Sequence, residues 1–252
     1  MHKEALIRNF SRYADKYDAY AHVQRMAAVM LLDDIDGLRP KKIMEFGCGT
    51  GNYTVLLREK FPDSSIKALD FSGRMVEIAE KKLAGRGVDF FVADAETAAL
   101  EEKFDLITSN ACVQWFADPG TAMASCKNML GDTGAVVFSV FGPRTFCELN
   151  ESLDNILEGA GISAGSFLPK AKIEKVLADN FRCSSVKEIE YKEPFSSLSE
   201  LLNKIKYTGT RGLGLDRKGL LSAGKLKKLE EFYLHNFLPS ATYQIFICKG
   251  IK

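Results

Sequence analysis

Apolar positions along the 252-residue chain change their spacing several times, and each change predicts an element. Over residues 4–36 they recur at helical intervals. Leu6, Phe10, Tyr13 and Tyr17 form one stripe, and Val23, Ala27, Met30 and Leu31 form a second from about residue 20. Gly37 and Pro40 stop that stretch. Lys42–Phe46 reads as a short buried strand, followed at once by Gly47-Cys48-Gly49-Thr50-Gly51 and a helix ending before Pro62. Strands at 65–70, 88–93, 104–109 and 135–140 alternate with helices around 75–83 and 119–130. That alternation predicts an α/β fold, a mostly parallel sheet with helices on both faces. After residue 141 the rhythm breaks. Helices are expected at 146–158, 170–180, 197–206 and 223–236, with a strand at 186–191 and a β-rich run at 241–248. No linker-like tract or internal repeat divides the chain. The expectation is a single domain over 1–252: N-terminal helices at 1–36, a core at 41–141, and a cap with the last strands at 142–252.

Composition removes several classes. Apolar residues make up 46% and charged residues 27%, as in soluble globular domains, and no run of 18 apolar residues exists. Lys plus Arg is 34 against 33 Asp plus Glu, so net charge gives no case for nucleic acid or an anionic membrane as partner. The six cysteines include no C-x-x-C pair, and His2, His22 and His235 are scattered, so neither a metal site nor a Cys–His nucleophile is expected. Unpaired cysteines suit a reducing compartment. The start, Met1-His2-Lys3-Glu4, lacks an apolar signal core, and a cytoplasmic protein is expected.

The chemistry concentrates at strand ends. Glu45-x-Gly47-x-Gly49-x-Gly51 lies where a strand gives way to a helix, and glycines there let the backbone turn tightly and approach a ligand. A dinucleotide fingerprint, G-x-G-x-x-G counted from Gly47, needs glycine at 52, which is Asn52, so a nicotinamide dehydrogenase is disfavoured. The acid-x-G-x-G-x-G spacing resembles motif I of the S-adenosylmethionine-dependent class I methyltransferases. An acid at the strand end suits a cationic ligand. Asp70 ends the second strand, where a carboxylate can accept from both ribose hydroxyls. Asp94-Ala95-Glu96 ends the third, where the resemblance implies a contact to the adenine amino group. Asn110 follows the fourth. The plainer alternatives are a tight turn for the glycines and a helix N-cap for Asp94.

At Ser109-Asn110-Ala111-Cys112-Val113-Gln114-Trp115 the resemblance narrows to the malonyl-acyl carrier protein O-methyltransferases of biotin synthesis. The opening Phe10-Ser11-Arg12-x-Ala14-x-x-Tyr17-Asp18-x-x-Ala21-x-x-Gln24 is similar to that family's. So are Phe141-Gly142-Pro143, Thr145, Glu148, Lys206-x-x-Gly209 and Thr242-Tyr243. The resemblance implies a Rossmann-like fold with seven strands, an N-terminal helical lid and a helical insertion before the last strand. It implies S-adenosylmethionine at Glu45, Gly47, Gly49, Gly51, Asp70, Phe71, Met75, Asp94, Ala95, Asn110 and Tyr17, and the acceptor at Gln114, Trp115 and Lys206. Activity would be methylation of the free carboxylate of malonyl-acyl carrier protein, with malonyl-CoA as a further acceptor to consider. The ester masks a charge so that fatty-acid enzymes can extend the chain. A small carboxylic acid or other metabolite is the alternative acceptor, and a non-catalytic cofactor-binding protein is the rival from another class.

A malonyl carboxylate is ionised at pH 7, so no general base, metal or nucleophilic side chain is expected. Tyr17 is the one residue weighed for a part at the reacting end. Each assignment has a plainer counterpart: Tyr17 and Trp115 as core, Gln114 satisfying loop backbone, and Cys48 and Cys112 as small buried residues. Lys204, Lys206, Arg211, Arg217, Lys218, Lys225, Lys227 and Lys228 make 204–228 basic. That segment is either a docking face for an acidic carrier or a solvated helix face balanced by Glu230 and Glu231.

Overall fold

The computed structural model describes residues 3–98, 100–156, 161–209 and 222–252. Two helices open the chain, α1 (Lys3–Tyr20) and α2 (His22–Asp34). There follow β1 (Lys42–Phe46), α3 (Asn52–Lys60), β2 (Ser65–Asp70), α4 (Gly73–Lys82), β3 (Val88–Val92), β4 (Phe104–Asn110), α5 (Pro119–Met129) and β5 (Leu130–Phe141). Beyond them lie α6 (Cys147–Ile156), α7 (Lys170–Asn180), β6 (Cys183–Pro194), α8 (Leu198–Tyr207), α9 (Ala223–Asn236) and β7 (Ser240–Ile251). The strands form one seven-stranded sheet in the order β3-β2-β1-β4-β5-β7-β6. It is parallel except for β7, which runs antiparallel to both neighbours.

Period-two alternation of apolar residues buries both faces. In β5, Ala135, Val137 and Phe141 pack with residues of α2, α3, α6 and α9. Val136, Phe138 and Val140 face α5 and α7 on the other side. β7 repeats the split, with Ile245 and Ile247 on one side and Phe246 and Cys248 on the other. The predicted strands appear where expected, and three are longer by at least four residues. β6 extends to twelve residues because its register with β7 continues from Cys183 opposite Ile251 to Pro194 opposite Ser240. β5 starts at Leu130, with a register break opposite Phe104–Leu106. β7 covers Ser240–Ile251 rather than 241–248. No helix among the described residues is long and apolar enough to cross a membrane.

The order reverses direction at β1. The chain goes outward to β2 and β3, then crosses back to β4 on the other side of β1. In open α/β sheets a crevice forms outside the carboxyl ends of the strands at such a switch point. The glycine loop after β1 and Asn110 at the end of β4 flank it.

Candidate active site

The loop after β1 is built by left-handed backbone. Gly47, Gly49 and Gly51 have φ of +67°, +53° and +82°, which L side chains adopt only at a cost. The three differ in why they are glycine. A Cβ at Gly47 would meet Cys112 Sγ at 2.4 Å, and one at Gly51 would meet Leu83 Cδ1 at 2.9 Å, so both are packing positions. A Cβ at Gly49 would meet nothing within 4 Å: the backbone there faces open space.

That space is a pocket that, with the solvent at its open mouth, spans about 600 Å³. Gly47, Gly49, Asp70, Phe71, Met75, Asp94, Ala95, Asn110 and Tyr17, expected at the cofactor, line it together with Trp115, expected at the acceptor. Glu45, Gly51, Gln114 and Lys206 do not. Glu45 is 1% exposed, with its Oε2 lacking a hydrogen-bond partner. Gln114 Nε2 donates to the Ala111 carbonyl at 2.7 Å and the residue lines a neighbouring, mostly apolar cavity. Lys206 Nζ stands 5.0 Å from the Tyr207 ring centroid and 5.6 Å from that of Tyr13. Arg211, Arg217 and Lys218 lie outside the described residues.

Asp70 organises the centre. Its Oδ2 accepts from the Gly49 amide at 3.0 Å and its Oδ1 from the Ser72 amide at 2.8 Å. Those bonds favour the carboxylate, but burial outweighs them and pushes the carboxyl up to about 6. Each oxygen keeps a lone pair for a donor in the pocket. Glu45 is driven further, to about 8, by burial, which Thr54 only partly counters. Burial, then the charge of Asp70, pushes the Tyr17 phenol up and keeps it a neutral donor. The same two influences raise the thiols of Cys48 and Cys112, so neither is a thiolate nucleophile.

Asn110 is held at both ends. Its Nδ2 donates to the Gln24 carbonyl at 2.9 Å, and its Oδ1 accepts from Ser139 Oγ at 2.6 Å. The next residue, Ala111, has φ +51°, an uncommon conformation for a residue with a Cβ, and its amide is fixed by Ser139.

The lid was expected in outline, but its fastenings were not. Asp18 on α1 accepts from Thr50 Oγ1 at 2.5 Å, Asn52 Nδ2 at 2.8 Å and Lys82 Nζ at 2.8 Å. Ser11 bonds Ser72 at 2.8 Å, and Lys3 pairs with Asp94 and with Glu96. Phe10 packs against Phe71 and Trp115, and Trp115 against Phe167. The stripe of Phe10, Tyr13 and Tyr17 therefore divides. Phe10 and Tyr17 line the pocket, whereas Tyr13 turns to Tyr207 on α8. Further lining residues are Lys3, Leu69, Cys112 and Phe116. A smaller cavity beside the same loop adds Arg25 and Gln24.

A model described as "Methyltransferase domain" matches residues 44–138, the stretch from β1 into β5. A malonyl-[acyl-carrier protein] O-methyltransferase of Acetivibrio thermocellus is 35% identical over 99% of this chain and 94% of its own length. The chain belongs to the malonyl-[acyl-carrier protein] O-methyltransferase family. A second relative of the same name, from Paenibacillus sp., is 36% identical over 82% of each chain. The fold is shared more widely. YcgJ from Bacillus subtilis superposes with a TM-score of 0.62 at 15% identity, covering 90% of this chain and 98% of that one. Haemonchus contortus phosphoethanolamine N-methyltransferase 2, solved with S-adenosyl-L-methionine, gives 0.57 at 16% identity over 88% of this chain and 51% of its own.

Proposed function

We propose that this chain transfers the methyl group of S-adenosylmethionine to the free carboxylate of malonyl-acyl carrier protein, giving its methyl ester, an early step of biotin synthesis. Family membership supports the acceptor. The buried Asp70 carboxylate, braced by two backbone amides beside an open glycine cradle, carries the cofactor reading. The residues present fit that cofactor. Gly49 leaves room for close backbone approach, and Asp70 has lone pairs for ribose hydroxyls. Arg25, in the smaller cavity beside the loop, offers a cation to a carboxylate.

When bound, the cofactor supplies a methyl group on cationic sulfur, and that carbon–sulfur bond breaks as a carboxylate oxygen takes the methyl. Cation and anion neutralise each other in this step, so the protein's task is alignment and exclusion of water. Asp70 and Asp94 fix the adenosine half, with Lys3 holding Asp94 in place. α1 covers the pocket, with Phe10 and Tyr17 turned inward and Asp18 tied to the loop. Tyr17, kept neutral, orients by donating a hydrogen bond. Trp115, between Phe10 and Phe167, forms an apolar wall. Among the described residues, the titratable groups lining the pocket include no histidine, and none is needed, because the acceptor carboxylate carries its charge at pH 7.

The test is methyl transfer from labelled S-adenosylmethionine to malonyl-acyl carrier protein, with malonyl-CoA and free dicarboxylic acids in parallel. Base-labile label on the carrier-bound malonyl group, well above the other acceptors, is expected. No transfer to either malonyl thioester, with cofactor binding intact, would overturn the assignment.

A further inference from the structure

The charges of α1 divide into paired and unpaired. Exposed Asp15 pairs with Arg74 at 2.7 Å, Asp18 is consumed by Thr50, Asn52 and Lys82, and Glu4 lies exposed in the first turn. Lys3 is also paired, with Asp94 and Glu96. The remaining cations, Arg8, Arg12 and Lys16, recur every four residues and so share one face of the helix, and all three are exposed. None of them forms an ion pair with a described residue. They meet α8 across a tyrosine cluster. Tyr13 and Tyr20 pack on Tyr207 with ring centroids 5.3 and 4.6 Å apart. Lys16 and Lys206 each lie 5.0 Å from the Tyr207 ring, Lys206 5.6 Å from Tyr13, and Arg12 5.7 Å from Tyr13.

Three like charges thus share two rings, with a fourth one turn away, and the nearby Asp15 is already engaged by Arg74. Ring faces offset only part of such repulsion. Among the described residues of the basic 204–228 stretch, part of the charge is already paired. Lys204 is committed to Glu193 and Glu200, both at 3.2 Å, and Lys227 stands 3.7 Å from Glu231. From α8, only Lys206 joins the α1 cations.

We infer that the surface formed by Arg8, Arg12, Lys16 and Lys206, with Tyr13, Tyr20 and Tyr207 between them, is where the acidic carrier protein docks. The inference rests on the acceptor proposed above. Position supports it as much as charge. Just past the end of α8 comes Gly209, where a Cβ would collide with the Phe10 ring, and Phe10 lines the pocket. A carrier seated on this face stands beside the rim through which its thioester arm must enter. Complementary charge of this kind raises association rate and makes it salt-dependent.

The experiment compares wild type with the Arg8→Glu/Lys16→Glu double variant and, as control, Lys227→Glu/Lys228→Glu. Binding of fluorescently labelled holo-carrier is read by anisotropy at low salt. Turnover is measured with malonyl-carrier and with malonyl-N-acetylcysteamine, which has no carrier. The α1 variant is expected to weaken carrier binding and lower carrier kcat/KM by about tenfold or more, to flatten its salt dependence, and to leave the small thioester and cofactor affinity unchanged. The α9 control should behave as wild type. Unchanged carrier binding in the α1 variant, an equal loss with both thioesters, or a larger effect from the α9 variant would overturn the inference. Carrier binding that depends on α1 without any methyl transfer would uphold the docking face and refute the acceptor instead.

Discussion

Acidification should weaken S-adenosylmethionine binding through Asp70, by an amount the site fixes. The carboxyl is 6% exposed and accepts the Gly49 and Ser72 amides, yet burial pushes it up to about 6. Ribose hydroxyls donate well to a carboxylate and poorly to a carboxylic acid, so the cofactor selects the ionised form. At pH 7.5 nearly all of the ligand-free protein is in that form. At pH 5 about nine-tenths is protonated, so the apparent affinity falls about tenfold, roughly 1.4 kcal/mol. Calorimetric titration at the two pH values reads this directly, and repeating it near pH 6 in buffers of different ionisation enthalpy counts the proton released on binding. In Asp70→Asn the amide turns an NH2 toward one of the two backbone donors and offers no charge. Its affinity at pH 7.5 should be at least about tenfold lower, and its pH slope should vanish. Stability moves oppositely. The folded carboxyl sits above its ordinary 3.8, so its contribution is fully present below about 3.8 and is lost as pH rises through 6. Relative to Asp70→Asn, ligand-free wild type should therefore gain stability between pH 7 and pH 4.5 while its cofactor affinity falls. Equal affinity slopes in wild type and Asp70→Asn would refute this account of the pocket.

Asp18→Ala removes the acceptor shared by Thr50, Asn52 and Lys82; the site is half exposed, so the loss of stability should stay near 1 kcal/mol, while cofactor release measured by stopped flow quickens several-fold. An unchanged release rate would mean that α1 does not act as a lid. Gly47→Ala adds a Cβ 2.4 Å from Cys112 Sγ at φ +67° and should cost about 2–4 kcal/mol. Adding Cys112→Gly should return the clash portion and leave the backbone portion, which denaturant melts of the single and double variants resolve. Glu45, pushed by burial up to about 8, is mostly neutral at pH 7, and wild type loses its contribution as pH rises through 8. The loss begins above about 4.5, so Glu45→Gln should match wild type near pH 4.5 and exceed it in thermal stability at pH 9; parallel melting curves over that range would contradict the buried, protonated acid.

The cofactor half of the site was legible because it is built from local signals. A buried strand, then glycines, then a helix is a pattern within fifteen residues, and Asp70, Asp94 and Asn110 each end a strand whose apolar run marks it. Parallel strands in register bring those ends to one edge of the sheet without further information. Glu45 and Gly51 carried the same motif and yet do not line the pocket. Spacing told where the chain turns, but not that Gly51 leaves room for Ala79 of α4 and Leu83 at its end. Gln114 illustrates the same limit, because its amide serves the Ala111 carbonyl that the left-handed Ala111 leaves nearby.

What the sequence concealed lies in pairings between distant residues. Lys3 and Asp94, Asp18 and Thr50, Gln24 and Asn110 are each separated by dozens of positions, and every one of these polar residues reads alone as a solvated helix face or a loop cap. The basic segment shows why this matters for function. Counting lysines over 204–228 gives a positive stretch, but positive potential at a surface depends on which of them already have acids. Glu193, Glu200 and Glu231 neutralise part of that stretch, and α1 supplies Arg8, Arg12 and Lys16 from the opposite end of the chain. The helix that covers the cofactor with one face thus presents the uncommitted cations on another. If a carrier docks there, its arrival presses on the lid itself. Slowed cofactor release in the presence of excess holo-carrier, absent in Arg8→Glu/Lys16→Glu, is the expected signature of that coupling, and an identical release rate with and without carrier would separate docking from closure.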